Sequence, residues 1–243
     1  MPVNVGGNII SSSSITSNGT FQKTIITNGL IGHYDAANVN SYSGSGTTWT
    51  DLSSVGNNLT IYGSPAWTTI GGAKAFNFTA DGHYMQGNSM SGFPSLQLTY
   101  EAWVYPGASE ITSGDRGTII LCRDGSAAYM SITKDTTKLS NYWYNHNPEG
   151  YHEVTPAVSR NAWHYFAAVW DNANFHQYVD GNKYGKVFDV TGTSTPDTTW
   201  QIGRESSGRQ FSGAISIVRI YNRALAGAEI IQNFNANKSR FGL

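Results

Sequence analysis

The chain of 243 residues has a single cysteine, Cys122, so it can close no internal disulfide and cannot assemble a Cys-x-x-Cys redox pair or a cysteine-rich zinc cluster. Charge is scarce too. Charged residues make up 13% of the chain, about half the usual share, and 15 basic against 16 acidic residues leave a net charge of -1. That balance excludes the basic stripe of a nucleic-acid-binding domain. No apolar run approaches the roughly 18 residues that a membrane-spanning helix needs. The opening stretch, Met1 to Asn8, has neither a basic patch nor a long apolar core and does not read as a secretory leader. A Gly-x-Ser-x-Gly nucleophile elbow is absent, and Gly44-Ser45-Gly46 lacks the third glycine of a phosphate loop.

What the chain does have is aromatic side chains, 13% of the total with 7 Trp and 14 Tyr, together with 27 Gly and abundant Ser, Thr and Asn. A disordered chain is poor in aromatics. The length suits one large all-β domain, or at most two small ones, and is enough to bury a sizeable core.

Residues 1–28 stand apart. They hold one charged residue, Lys23, a run from Ser11 to Ser14, and scattered apolar residues such as Ile9, Ile10, Ile15, Phe21, Ile25 and Ile26. No helical period links these, and the segment is too apolar for a flexible linker. An extended N-terminal arm is expected, followed by a domain over 29–243.

From Asn28-Gly29 onward, short alternating segments recur between turn clusters, the signature of a sandwich or barrel. Leu30 to Tyr34, Leu59 to Tyr62, Ala75 to Phe78 and Leu96 to Tyr105 are predicted strands, as are Thr118 to Cys122, Tyr129 to Thr133 and Leu139 to Tyr144. His164 to Trp170, Phe175 to Val179, Tyr184 to Phe188, Thr199 to Ile202 and Ile215 to Tyr221 complete the set. Alternation places Leu96, Leu98, Tyr100, Ala102 and Val104 on one face and Thr99, Glu101, Trp103 and Tyr105 on the other. Trp103, Trp163, Trp170 and Tyr178 are expected in the core, His164 as a packed strand residue, and Arg219 in a structural pair with Glu229 or Asp51. One helix is expected, Ala226 to Phe234, where Ile230, Ile231 and Phe234 form an apolar stripe.

These segments carry a resemblance. Gly29-Leu30-Ile31-Gly32-His33-Tyr34-Asp35-Ala36, Glu101-Ala102-Trp103-Val104, Trp163-His164-Tyr165-Phe166-Ala167, Tyr178-Val179-Asp180-Gly181, Ile202-Gly203-Arg204 and Phe211-Ser212-Gly213-Ala214-Ile215 occur in the order seen in the concanavalin A-like lectin/glucanase superfamily, laminin-G-like branch. The chain resembles that branch from about residue 29 to 237. The resemblance implies an all-β fold, two antiparallel sheets in a jelly roll. Lectin-like relatives hold calcium near strand ends, and Asp35 and Asp51 could supply oxygen ligands here. The Asp that often follows Gly-x-Ile is replaced by Ser216, and Asp-rich loops are missing, so no cofactor and no metal site are expected.

The glucanase side of the superfamily places carboxylates in a Glu-x-Asp-x-Glu strand, where a retaining mechanism needs two carboxyl groups about 5–5.5 Å apart. The nearest match, Glu149-Gly150-Tyr151-His152-Glu153, has Tyr at its centre, and Pro148 and Gly150 suggest a loop. No enzyme is expected. The same region is the best binding candidate: Tyr142, Trp143, Tyr144, His146, Tyr151 and His152 concentrate rings and polar groups that suit a sugar's C–H face and hydroxyls. The competing reading makes Tyr142 and Tyr144 one strand's core face.

The expected function is a non-catalytic virion surface protein, a phage head-decoration or tail-fibre component. Its arm would contact neighbouring virion or capsid proteins, its jelly roll would take a cell-surface glycan, and it is compatible with a homo-oligomer. The alternative is a bacterial extracellular carbohydrate-binding or adhesin module, with a glycoside hydrolase as the weaker variant.

Overall fold

A computed structural model describes residues 14–15, 21–22, 24–94, 96–108, 114–123, 128–143, 150–153, 155–187, 199–205 and 209–243. In chain order the strands are β1 (Ser14–Ile15), β2 (Phe21–Gln22), β3 (Leu30–Asp35), β4 (Thr48–Trp49), β5 (Leu59–Tyr62), β6 (Ala66–Ile70), β7 (Ala73–Phe78), β8 (Tyr84–Asn88) and β9 (Leu98–Pro106). They continue as β10 (Arg116–Arg123), β11 (Ala128–Thr133), β12 (Leu139–Trp143), β13 (Gly150–His152), β14 (His164–Trp170), β15 (Phe175–Val179), β16 (Asn182–Val187), β17 (Thr199–Ile202) and β18 (Gly213–Tyr221). Helix α1 (Gly227–Asn237) and a 3-10 turn (Lys238–Phe241) close the chain.

Two antiparallel sheets form a jelly-roll sandwich. The front sheet runs β13-β12-β11-β10-β17-β8-β5-β4, and the back sheet runs β16-β15-β14-β9-β18-β7-β6 with β3 also paired to β18. One core fills the space between them. Period-2 alternation sends Leu98, Tyr100, Ala102 and Val104 of β9, Met130 and Ile132 of β11, and Phe166, Ala168 and Trp170 of β14 into it. Trp200 of β17 lies against Gly87 of β8, where an added Cβ would sit 2.1 Å from Trp200 Nε1.

The outer face of the back sheet is buried as well. Trp103, Tyr165, Ala167, Val169, Ile217 and Tyr221 build a second core there, covered by Leu225 and Ile230 near and in α1 and by Phe241 of the 3-10 turn. So β9 is buried on both faces: the side that carries Thr99, Glu101, Trp103 and Tyr105 packs into the second core, where Trp103 is fully buried as expected. The second core holds charge. Arg219 pairs with Glu101 at 3.4 Å, each 1% exposed, rather than with Glu229 or Asp51. Glu229 is taken by Arg223, at 2.6 Å, and caps the first turn of α1 through the Ala226 N–H.

Other readings from the sequence need adjustment. Gly150–His152, predicted as a loop, forms edge strand β13 because Tyr151 and His152 find backbone partners on β12. Strands β4, β6 and β8 were not read from the sequence. The helix extends three residues past Phe234. Trp163, Trp170 and Tyr178 are buried, and His164 is held between Asp180 and Ser159 at 2.8 and 3.0 Å, which fixes the β15–β16 turn to β14.

Within residues 1–28, β1 and β2 pair antiparallel, with Ser14 opposite Gln22 and Ile15 opposite Phe21. Residues 24–28 lie against α1 and β18. The Ile26 N–H donates to Asn233 Oδ1 at 2.8 Å, Tyr221 Oη donates to the Ile26 carbonyl at 3.0 Å, and Gln232 donates to the Thr24 carbonyl at 2.8 Å. Ile25 and Ile26 pack on the second core.

Candidate functional site: the outer face of the front sheet

The front sheet's outer face is not covered by α1, and its register decides what stands there. Tyr151 of β13 is opposite Tyr142 of β12, which is opposite Tyr129 of β11. The row continues through Leu121 of β10, Gln201 of β17, Gln86 of β8 and Thr60 of β5. Their neighbours Asn141, Met130 and Ile202 face the interior, so alternation turns this row outward.

At the β13 end the three tyrosines form a continuous shelf. Tyr129 and Tyr142 stack at 5.3 Å and 17°, and Tyr142 meets Tyr151 at 4.6 Å and 42°. The Arg116 guanidinium lies 3.3 Å from the Tyr151 ring centre, and Arg209 lies 5.7 Å away. Arg116 holds Asp115 in two hydrogen bonds, 3.0 and 2.6 Å, donates to Ser140 at 2.7 Å and reaches Glu153 at 3.5 Å. Arg209 pairs with Glu205 at 2.9 Å and Asp115 at 3.5 Å. The Arg116 bond holds the Asp115 carboxyl below its usual range, whereas burial pushes the Tyr151 phenol up. The shelf is therefore a row of three partly exposed tyrosines in contact with two guanidinium groups, of which Arg116 is buried, and their three carboxylate partners.

Of the residues predicted to bind glycan, Tyr142 and Tyr151 come together on this face. His152 does not join them. It is opposite Asn141, and its ring lies 6.2 Å from Phe175 of the core, because consecutive strand residues face opposite ways. Trp143 is opposite Ala128 and Gly150 in the ladder. Tyr144 and His146 lie outside the described residues, as does Glu149. Tyr129, Arg116 and Arg209 were missed. Tyr129 alternates like Tyr142, but only cross-strand register brings the four elements together.

The two candidate calcium ligands are committed elsewhere. Asp51 accepts from the His33, Ser53 and Asn57 N–H groups, each at 2.8 Å, and from the Ser53 hydroxyl at 2.6 Å. Asp35 bonds Arg240 at 2.9 Å and the Ala37 N–H at 2.9 Å. Among the described residues no cluster of three or more His, Cys, Asp or Glu could hold a metal ion, and no helix is long and apolar enough to cross a membrane.

Sheet order and double core define a lectin-like jelly-roll sandwich. The chain belongs to the concanavalin A-like lectin/glucanases superfamily, in the laminin-G type 3 family, whose model matches residues 78–231, more than half of the chain. No curated protein sequence matches it significantly. Among solved structures it is similar to domain 4 of a GH43 extracellular arabinanase from Geobacillus stearothermophilus, solved with arabinotriose (TM-score 0.59, 18% identity, 84% of this chain and 97% of that one). It is also similar to the Trypanosoma rangeli sialidase (TM-score 0.67, 15% identity, 94% of this chain and 36% of that one). A third is the binding domain of botulinum neurotoxin serotype G (TM-score 0.66, 14% identity, 86% of this chain and 51% of that one). The chain thus spans about a third of the sialidase and half of the toxin domain. At these identities the likeness establishes the fold.

Proposed function

We propose that the chain is a non-catalytic glycan-binding module that uses the outer face of its front sheet. The Tyr129–Tyr142–Tyr151 shelf with its polar rim is the observation that carries this reading. The rings offer apolar contact to sugar C–H groups, while phenol, guanidinium and carboxylate groups bond the hydroxyls. The arabinanase domain solved with arabinotriose supports the ligand class by likeness of fold alone.

The pairing of the rim carboxylates supports a binding role. A glycosidase acid needs a carboxyl kept protonated near neutral pH. Asp115, Glu153 and Glu205 each face a guanidinium, and the Asp115 carboxyl is shifted down, not up. Among the described residues the carboxyl that burial pushes up, Glu101, is sealed under α1.

The N-terminal segment meets the domain at α1, on the side away from the shelf. That arrangement suits a module mounted by its arm with the glycan face outward. Together with the low charge and the single cysteine it supports display on a virion surface, where the arm would contact neighbouring structural proteins. A glycan array followed by calorimetry tests the binding reading. Wild-type chain is expected to bind a sugar without cleaving it, and Tyr151→Ala to lose tenfold or more in affinity. An array with no hit overturns it. Purified particles whose proteome lacks the chain overturn the virion placement.

A further inference from the structure

The far end of the same outer face carries a second feature, an uncharged groove next to a tyrosine pair, Tyr62 and Tyr84, with the Arg204 guanidinium 4.9 Å from the Tyr84 ring centre. Trp49 and Leu59 are buried in the core, so their neighbours Thr48 and Thr60 stand on the outer face, opposite one another. The pairing continues past β4 through the Ile61 N–H, which donates to the Thr47 carbonyl at 2.8 Å. This register sets Tyr62 opposite Gly46. Tyr62 is 39% exposed, and one face of its ring stacks on Tyr84 at 4.7 Å and 6°. Toward residue 46 there is no side chain. Gly46 has φ +93°, and beyond its chain neighbours no heavy atom lies within 4 Å of the place a Cβ would occupy. From position 46, then, no side chain reaches toward the partly exposed Tyr62 ring.

Beside it, residues 39–50 curl into a groove of about 420 Å³, within the usual range for a small-ligand site. Thr48 and Thr50 belong to β4 and its end, Asn40, Ser43 and Ser45 to the wall, and the Tyr42 hydroxyl ties that wall by donating to the Gly46 carbonyl at 3.2 Å. No lining residue is charged. Phosphate, sulfate or carboxylate groups would find no counter-charge there. Hydroxyl and amide groups near a partly exposed tyrosine, joined to it through Gly46, match a neutral sugar ring, whose C–H face stacks while its hydroxyls exchange hydrogen bonds.

We propose that Tyr62 and the groove of residues 39–50 form a binding site for a neutral saccharide, separate from the tyrosine shelf. Five strand spacings divide β12 from β5, on the order of 24 Å at about 4.8 Å each, so the two sites take different sugar units or different ligands. The geometry of this site is its own; only the choice of a glycan as ligand rests on the reading of the face given above.

Calorimetry and amide NMR of the full chain test it with neutral xylo-, arabino-, gluco- and manno-oligosaccharides, and with sialylated and uronate-containing oligosaccharides as charged probes. Expected are shifts in the amide signals of residues 40–50 with a neutral probe, a roughly tenfold or larger affinity loss in Tyr62→Ala, and a similar loss in Thr48→Glu, which adds charge without removing the ring. Tyr62→Ala and Thr48→Glu at wild-type affinity, with signals 40–50 still, overturn this site; if Tyr151→Ala then abolishes binding, the shelf reading stands. Tighter binding of a charged probe at 40–50 overturns the neutral class. A wild-type chain that binds no probe removes both.

Discussion

Asn233 of α1 donates a 2.9 Å hydrogen bond to Glu101 of β9, inside a site where both side chains are at most 1% exposed. The same amide reaches the Tyr221 hydroxyl at 3.0 Å, and Tyr165 donates to the same Glu101 oxygen at 2.6 Å. Arg219 supplies the opposite charge. Burial pushes the Glu101 carboxyl up, and Arg219 with these donors pulls it back. Breaking one partner of such a set leaves the other charge buried and unpaired, which costs about 3–5 kcal/mol. Glu101→Leu and Arg219→Met should each destabilise by that order in urea unfolding, and the double variant should recover much of the loss. Equal, additive losses would show that the two side chains act independently.

The same asparagine ties the residues before Gly29 to the sandwich. Its Oδ1 accepts the Ile26 N–H, and the Ile26 carbonyl accepts from Tyr221. A chain starting at residue 24 should match the full chain in stability. A chain starting at residue 29 loses these bonds and the cover of Ile25 and Ile26, so it should be weaker by about 1–3 kcal/mol. Identical unfolding curves for the two truncations would place the boundary at residue 29.

His33 predicts the acid limb of stability. Burial first, then Arg219 and Arg240, hold its pKa down to about 3. In the unfolded chain it returns to about 6.5. The unfolded state therefore takes up this proton first as pH falls. Stability from this residue is complete above pH ~6.5 and declines toward pH ~3, by up to about 1.4 kcal/mol per unit. Asp115 and Glu229, whose carboxyls are held low by Arg116 and Arg223, lose stability over a lower range. His33→Gln should flatten the profile between pH 6 and 4 relative to wild type. Parallel profiles would assign the acid limb to the carboxylates.

Alternation made most strands legible: Leu98 to Val104 and His164 to Trp170 repeat at period 2. What was illegible depends on partners far away in sequence. The helix at the end of the chain turns Thr99 to Tyr105 from an outer face into a second core. Two-residue β4 is too short to show a period. The site followed the same rule. Tyr142 and Tyr151 were identifiable as an aromatic cluster, but composition could not separate Tyr151 from His152. Arg116, which comes 35 positions before Tyr151, meets it only through the β10–β11–β12–β13 ladder.

That contact carries the last prediction. Arg116 lies over the Tyr151 ring and grips Asp115 with two donors, a forked contact that lysine cannot repeat. Arg116→Lys keeps the charge but gives up the guanidinium contact with the ring, worth about 0.5–2 kcal/mol in a partly desolvated setting. The Tyr151 ring then loses that support and gains rotamer freedom, and any ligand on the shelf must order it again. The variant should stay folded with a modest drop in melting temperature, and its glycan affinity should fall alongside that of Tyr151→Ala. If Arg116→Lys binds as tightly as wild type while Tyr151→Ala does not, the guanidinium is a structural brace alone and the recognition surface ends at the tyrosines.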